Sequence, residues 1–108
     1  SESRLIRSAK AHMLENLSSR TDLEKLAQSL GTSYSRLRSV FKQQTGFAPR
    51  QFENMVKMNR SKDLLLSGNY NISKTAEALG YSSVFYFSRA FRKAFGRSPK
   101  DWVRLHKQ

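Results

Sequence analysis

The sequence predicts an all-α protein of about seven helices, and three observations predict it. The first is an internal repeat, the feature that most constrains an architecture when present. Residues 22–31 lie over 71–80, with Lys25/Lys74, Ala27/Ala76, Leu30/Leu79 and Gly31/Gly80 identical at an offset of 49. Phe41/Phe91, Gly46/Gly96 and Pro49/Pro99 then match at an offset of 50, so the second copy carries one extra residue just after its first glycine. The second observation is apolar periodicity at three and four residues, the signature of amphipathic helices. The third is punctuation: glycines follow the periodic runs and prolines open new ones, the usual asymmetry of helix ends. No strand signal competes. Val84-Phe85-Tyr86-Phe87 is aromatic but sits inside a helical frame.

Each element follows from its residues. A leading helix over about 3–17 carries Ile6, Ala9, Met13 and Leu17 on one stripe. The first repeat helix starts at Asp22 or Thr21, and Thr21 with Glu24 has the spacing of a capping box. Leu23, Leu26, Ala27 and Leu30 form its apolar face, and Gly31 can take the left-handed conformation that stops it. Ser33 caps the next helix, which buries Leu37, Val40 and Phe41 and ends at Gly46. Pro49 opens a long helix to Ser67, closed by Gly68, with Phe52, Val56 or Met55, Ser61 or Asn59, and Leu65 as its stripe. In the second copy Asn71 caps, Ile72, Ala76 and Leu79 pack, and Gly80 stops. Ser82 or Ser83 restarts the chain into a helix burying Phe87, Ala90, Phe91 and Phe95. Pro99 starts a last short helix with Trp102 and Leu105 inward.

Each copy is therefore helix, tight turn, helix: the helix-turn-helix unit. The expected organisation is residues 1–48 as leading helix and first helix-turn-helix subdomain, 49–67 as bridging helix, and 68–108 as second subdomain. A bridge of about 19 residues spans ~28 Å at 1.5 Å each. Neighbouring major-groove faces of DNA lie ~34 Å apart. Duplication could thus supply the spacing that dimeric helix-turn-helix proteins obtain from symmetry. The two second helices differ in sequence, so the expected target is asymmetric and covers ~15–20 base pairs.

Charge points to the same class of partner. Twenty Lys and Arg face eight Asp and Glu, a formal net charge of +12 on 108 residues, which suits a polyanion. The cations are grouped. No acid occurs between Glu24 and Glu53, where Lys25, Arg36, Arg38, Lys42 and Arg50 stand. None occurs between Glu77 and Asp101, where Arg89, Arg92, Lys93, Arg97 and Lys100 stand. The absence of cysteine removes disulfides, thiolate metal sites and cysteine nucleophiles. His12 and His106 have no carboxylate at ligand spacing, and no catalytic grouping or phosphate loop appears, so no enzyme, metal or cofactor is expected. No apolar run approaches the ~18 residues of a membrane span.

The segment 76–99, Ala-Glu-Ala-Leu-Gly-Tyr-Ser-Ser-Val-Phe-Tyr-Phe-Ser-Arg-Ala-Phe-Arg-Lys-Ala-Phe-Gly-Arg-Ser-Pro, resembles the DNA-binding domain of the AraC/XylS-type bacterial transcription regulators. Phe-Lys-Gln-Gln-Thr-Gly-Phe-Ala-Pro at 41–49 agrees, and the likeness runs from about Leu5 to about Leu105. The resemblance implies two helix-turn-helix subdomains on one bridging helix, each placing its second helix in the major groove of double-stranded DNA. It also implies a cytoplasmic, nucleoid-associated regulator, activation favoured over repression, RNA polymerase as a further partner, and no membrane. Many members of the family carry an effector or dimerisation domain outside this region and some stand alone. The chain opens on Ser1 rather than methionine, as a piece of a longer regulator would. Three bridge positions depart from the family pattern: Glu53 where an apolar residue is common, Lys57 for Arg, and Ser61 for Ala. DNA-repair proteins that use the same module would add cysteine chemistry, which is absent. An RNA-binding or membrane-surface module is the other alternative.

Candidate base contacts in the first copy are Ser35, Arg36, Arg38 and Ser39. Arginine can donate two hydrogen bonds to guanine O6 and N7, while serine is permissive. In the second copy they are Val84, Phe85, Ser88 and Arg89. Val84 and Phe85 can meet a thymine methyl, and Phe85 can equally pack on its neighbours. By the resemblance, Arg89 is better suited to a phosphate or structural contact. Lys42, Tyr86, Arg92 and Lys93 are placed to reach the sugar-phosphate chain. So are Arg50 and Lys100, beside the prolines at two helix N-termini, where backbone amides also favour phosphate.

Overall fold

The computed structural model describes residues 1–107. Those residues form seven helices and no strand. They are α1 (Glu2–Glu15), α2 (Leu23–Ser29), α3 (Tyr34–Thr45), α4 (Pro49–Leu66), α5 (Ile72–Ala78), α6 (Val84–Phe95) and α7 (Pro99–His106). The chain divides into two compact units between Asn54 and Met55, inside α4.

The first unit is built on α1, α2, α3 and the opening turns of α4. Ile6, Ala9 and Met13 of α1 meet Leu23, Leu26 and Ala27 of α2 and Leu37, Val40 and Phe41 of α3 in one core. The Phe41 ring packs edge-on against Phe52 of α4 at 5.3 Å, and the Lys10 ammonium lies 5.2 Å above the Phe52 ring. Helix α1 ends at Glu15 rather than at residue 17, so Leu17 falls in the turn beyond it.

In the second unit the core is aromatic. Phe87 and Phe91 of α6 are fully buried, and Leu64, Leu65, Ala76, Leu79 and Trp102 of the same unit are buried too. Phe91 meets Phe87, Phe95 and Trp102 with centroids 5.8, 4.7 and 5.8 Å away. Leu105, expected inward, is exposed; His106 stacks on Trp102 instead, at 4.3 Å. Lys62 covers the Phe95 ring at 4.3 Å.

The helix-turn-helix corners are built alike. After α2, the Gly31 amide donates to the Gln28 carbonyl and the Thr32 amide to Ala27, each at 3.0 Å. After α5, Gly80 donates to Glu77 and Tyr81 to Ala76, again at 3.0 Å. Both pairs are the reciprocal closure of a Schellman motif, which stops the helix and frees the chain to turn. Ser33 and Ser83 then cap α3 and α6 through the amides of Arg36 and Tyr86. Gly46 and Gly96 end those helices at φ 84° and 77°. A side chain at either glycine would meet nothing within 4 Å, so conformation rather than crowding demands glycine.

Two expectations are corrected at the bridge. Asp22 caps α2 through the Lys25 amide, and the Thr21–Glu24 box does not form. The Thr21 hydroxyl is drawn away because it donates to Glu53, whose carboxylate is only 1% exposed. The buried stripe of α4 is also wider than expected: Ser61 and Leu65 are buried and Phe52 and Val56 half-buried as read from the sequence, while Glu53, Lys57, Met58 and Leu64 are buried as well and Met55 is exposed. Ser61 satisfies its hydroxyl on the Met58 carbonyl at 2.5 Å.

Candidate nucleic-acid interface

Helix α3 buries Leu37, Val40 and Phe41, which leaves Ser35, Arg38, Ser39 and Lys42 on the opposite face at i, i+3, i+4 and i+7 spacing. All four are exposed. Together with Tyr34 and Gln43 they line a shallow open cleft along the helix. Sequence reasoning did not single out those last two. The repeat could have found them, because Tyr34 corresponds to Val84 and Gln43 to Lys93, both of which were named.

Arg36 lies on a different side. Its guanidinium reaches Glu2 of α1 at 3.8 Å, and Gln44, two turns on, hydrogen-bonds the same carboxylate at 3.5 Å. The pair is exposed and weak, so Arg36 stays available to a phosphate, but it does not share the stripe of Arg38.

Helix α6 repeats the arrangement with other chemistry. Its exposed face carries Val84, Phe85, Tyr86, Arg89, Arg92 and Lys93, with Ser88 half-buried among them. The Arg89 guanidinium lies 5.6 Å from the Phe85 ring centroid, and the Tyr86 ring meets Phe85 edge-on at 5.5 Å. Phe85 therefore does not join the core; it stands in solvent on its own helix.

The cations sort into two groups. Arg38, Lys42, Arg92, Lys93 and Lys100 form no ion pair among the described residues. Arg50 departs from the expectation of a phosphate contact. One guanidinium nitrogen lies 2.6 Å from a Glu53 oxygen and another donates to the Thr21 carbonyl at 2.7 Å. Only 28% of its side chain is exposed, because the acid it serves is buried beneath it. Lys100, its counterpart in the second copy, is exposed.

No group of three or more potential metal ligands occurs among the described residues. No described helix is long and apolar enough to cross a membrane. What the exposed faces of the two helices offer is hydrogen-bond donors, positive charge and, on α6, apolar and aromatic surface.

A family model described as a helix-turn-helix domain matches residues 26–105. The chain belongs to the AraC/XylS family of DNA-binding transcription regulators. It is 36% identical over 92 residues to the MmsAB operon regulatory protein of Pseudomonas aeruginosa, a match covering 85% of this chain and 30% of that protein. Among solved structures it resembles the C-terminal domain of AraT, a response regulator from Geobacillus stearothermophilus. The TM-score is 0.89 at 32% identity, over 94% of this chain and 85% of that one. It also resembles the DNA-binding domain of AdpA in complex with a target DNA, with TM-score 0.87 at 25% identity over 94% and 92% of the two chains. The chain spans a third or less of the length of the first curated relatives it matches.

Proposed function

We propose that this AraC/XylS-type domain binds one asymmetric double-stranded DNA site as a single chain, with α3 and α6 in adjacent major grooves. The observation that carries this reading is the duplication of one exposed stripe. Ser35, Arg38, Ser39 and Lys42 on α3 recur in position as Phe85, Ser88, Arg89 and Arg92 on α6. Both stripes end in a cation that has no ion pair among the described residues. The DNA complex formed by the AdpA domain supports the duplex as partner.

In this arrangement the N-terminal halves of α3 and α6 meet base edges, as in other helix-turn-helix proteins. Arg38 donates to a guanine, Ser35 and Ser39 make permissive contacts, and Val84, Phe85, Ser88 and Arg89 face the second groove. Lys42, Tyr86, Arg92, Lys93 and Lys100 hold phosphates and set register. Arg36 takes a phosphate from the side of α1. The family resemblance supports activation through RNA polymerase as the output.

Selection of duplexes from a random pool, followed by footprinting and stoichiometry, tests the reading. The expected result is one chain on a non-palindromic site of ~15–20 base pairs, with competition by duplex DNA but not by RNA or anionic vesicles. A requirement for two chains on a palindrome, or equal competition by RNA, overturns it.

A further inference from the structure

At positions the repeat makes equivalent, the two exposed stripes differ in kind. Tyr34 and Ser35 open α3 where Val84 and Phe85 open α6. The first turn of α6 thus holds two apolar side chains in water: Val84 is 39% and Phe85 62% exposed. They are not part of the core, to which the same helix contributes the fully buried Phe87 and Phe91. The Phe85 ring is nevertheless braced. Arg89 lies over it at 5.6 Å and Tyr86 meets it edge-on at 5.5 Å. Both contacts come from its own helix, so more than half of the ring is open to a ligand and its burial is available for affinity.

A phenyl ring can neither donate nor accept a conventional hydrogen bond. Among the features that base pairs display in the major groove, the apolar one is the C5-methyl of thymine. The N-terminal turn of a recognition helix is the part that reaches base edges. We propose that Phe85, with Val84 beside it, reads a pyrimidine C5-methyl group, so that the second subdomain selects its half of the site by an apolar contact while the first selects by hydrogen bonds. This rests on the proposal that α6 enters a major groove. The methyl, not the base, is the recognised group. 5-Methylcytosine therefore satisfies the same contact as thymine, and uracil and unmodified cytosine do not.

The test uses the whole chain and its selected duplex. Each thymine in turn is replaced by deoxyuridine, which removes the methyl and leaves every hydrogen-bonding group in place. At one or two positions the wild-type chain should lose about fourfold in affinity, the effect of exposing one methyl-sized group. Phe85→Ala should bind the thymine and deoxyuridine duplexes equally at those positions. At the same positions, 5-methylcytosine should bind about fourfold tighter than cytosine to the wild type, and no tighter to Phe85→Ala. Because the ring is exposed, the variant's thermal unfolding should match that of the wild type; the deoxyuridine series on the unaltered protein needs no variant at all. Indifference of the wild type to every deoxyuridine overturns the inference, as does a sensitivity that persists in Phe85→Ala. Failure of the underlying reading shows earlier and differently, as the absence of any preferred duplex.

Discussion

The buried bridge between Thr21, Arg50 and Glu53 sets up a test of what holds the first subdomain together. The Glu53 carboxylate accepts from the Thr21 hydroxyl on one oxygen and from Arg50 on the other, 2.6 Å away. It is 1% exposed, whereas the Arg50 side chain is 28% exposed. That difference decides which deletion costs more. Arg50→Ala removes the cation that Glu53 contacts at 2.6 Å from a carboxylate that is 1% exposed, and removing one partner of a buried pair costs about 3–5 kcal/mol. Glu53→Ala leaves a guanidinium that can turn toward solvent and keep its bond to the Thr21 carbonyl. Its cost falls to about 2 kcal/mol, made up of one lost charge-assisted hydrogen bond and the orphaned Thr21 hydroxyl. Glu53→Gln keeps the shape and an acceptor oxygen, so about 1 kcal/mol is expected. Urea denaturation of the two alanine variants, the glutamine variant and the double variant measures all of this. The double variant should be more stable than the sum of the single losses predicts, with a coupling of about 1–3 kcal/mol. Two single costs below about 0.5 kcal/mol that simply add would refute the reasoning and mark the bridge as energetically idle.

Three further predictions concern the core, the caps and the DNA. Phe41→Ala and Phe91→Ala, both at fully buried rings, should each destabilise by about 3–5 kcal/mol in the same denaturant assay. Gly46→Ala and Gly96→Ala should each cost about 1–2 kcal/mol, because an L-residue is forced into the left-handed region while its methyl meets no neighbour. Arg38→Ala should lose about 1–3 kcal/mol on the preferred duplex and relax the preference at one or two base pairs. Lys42→Ala should weaken binding to preferred and scrambled duplexes alike and lower the salt dependence by about one ion. Titrations of both duplexes across a salt series distinguish the two.

The fold was legible because its signals were local and repeated. Gly31 and Gly80 stop helices by identical hydrogen bonds, and Ser33 and Ser83 start them by identical caps. The boundary of α1 was less so: Asn16 caps it through the Met13 carbonyl, and nothing in the periodicity of Leu17 announces that. Leu105 looked like core because it sits three residues after Trp102, but it is His106 that covers the indole. On the candidate interface, Arg38 and Lys42 were placed by periodicity alone, since Leu37 and Phe41 fix the inward face of the same helix. Arg36 was harder, because its partner Glu2 lies 34 positions earlier, on another helix.

Arg50 shows what a charge count cannot see. Proline at 49 and 99 and the cations after them make the two positions look interchangeable, and equivalence in the repeat argued for equivalence in role. Three residues further on, the copies part: Glu53 in the first corresponds to Val103 in the second. A carboxylate at a buried position needs a counter-charge. The nearest cation on the helix, one turn back, supplies it, and Arg50 lies half-buried over that carboxylate. Val103 makes no such demand, and Lys100 is exposed without a carboxylate partner among the described residues. One difference at an inward position goes with a difference in the surroundings of the outward cation. In the first subdomain the cation after the proline ties α4 to Thr21, just before α2; in the second we propose that it is left to a phosphate. If that division holds, Lys100→Ala should weaken binding to every duplex and leave folding stability unchanged. Arg50→Ala should do the reverse, lowering the urea midpoint while leaving the salt dependence of the remaining folded protein intact. A loss of about one ion in the salt slope for Arg50→Ala would return Arg50 to the DNA and sink the division.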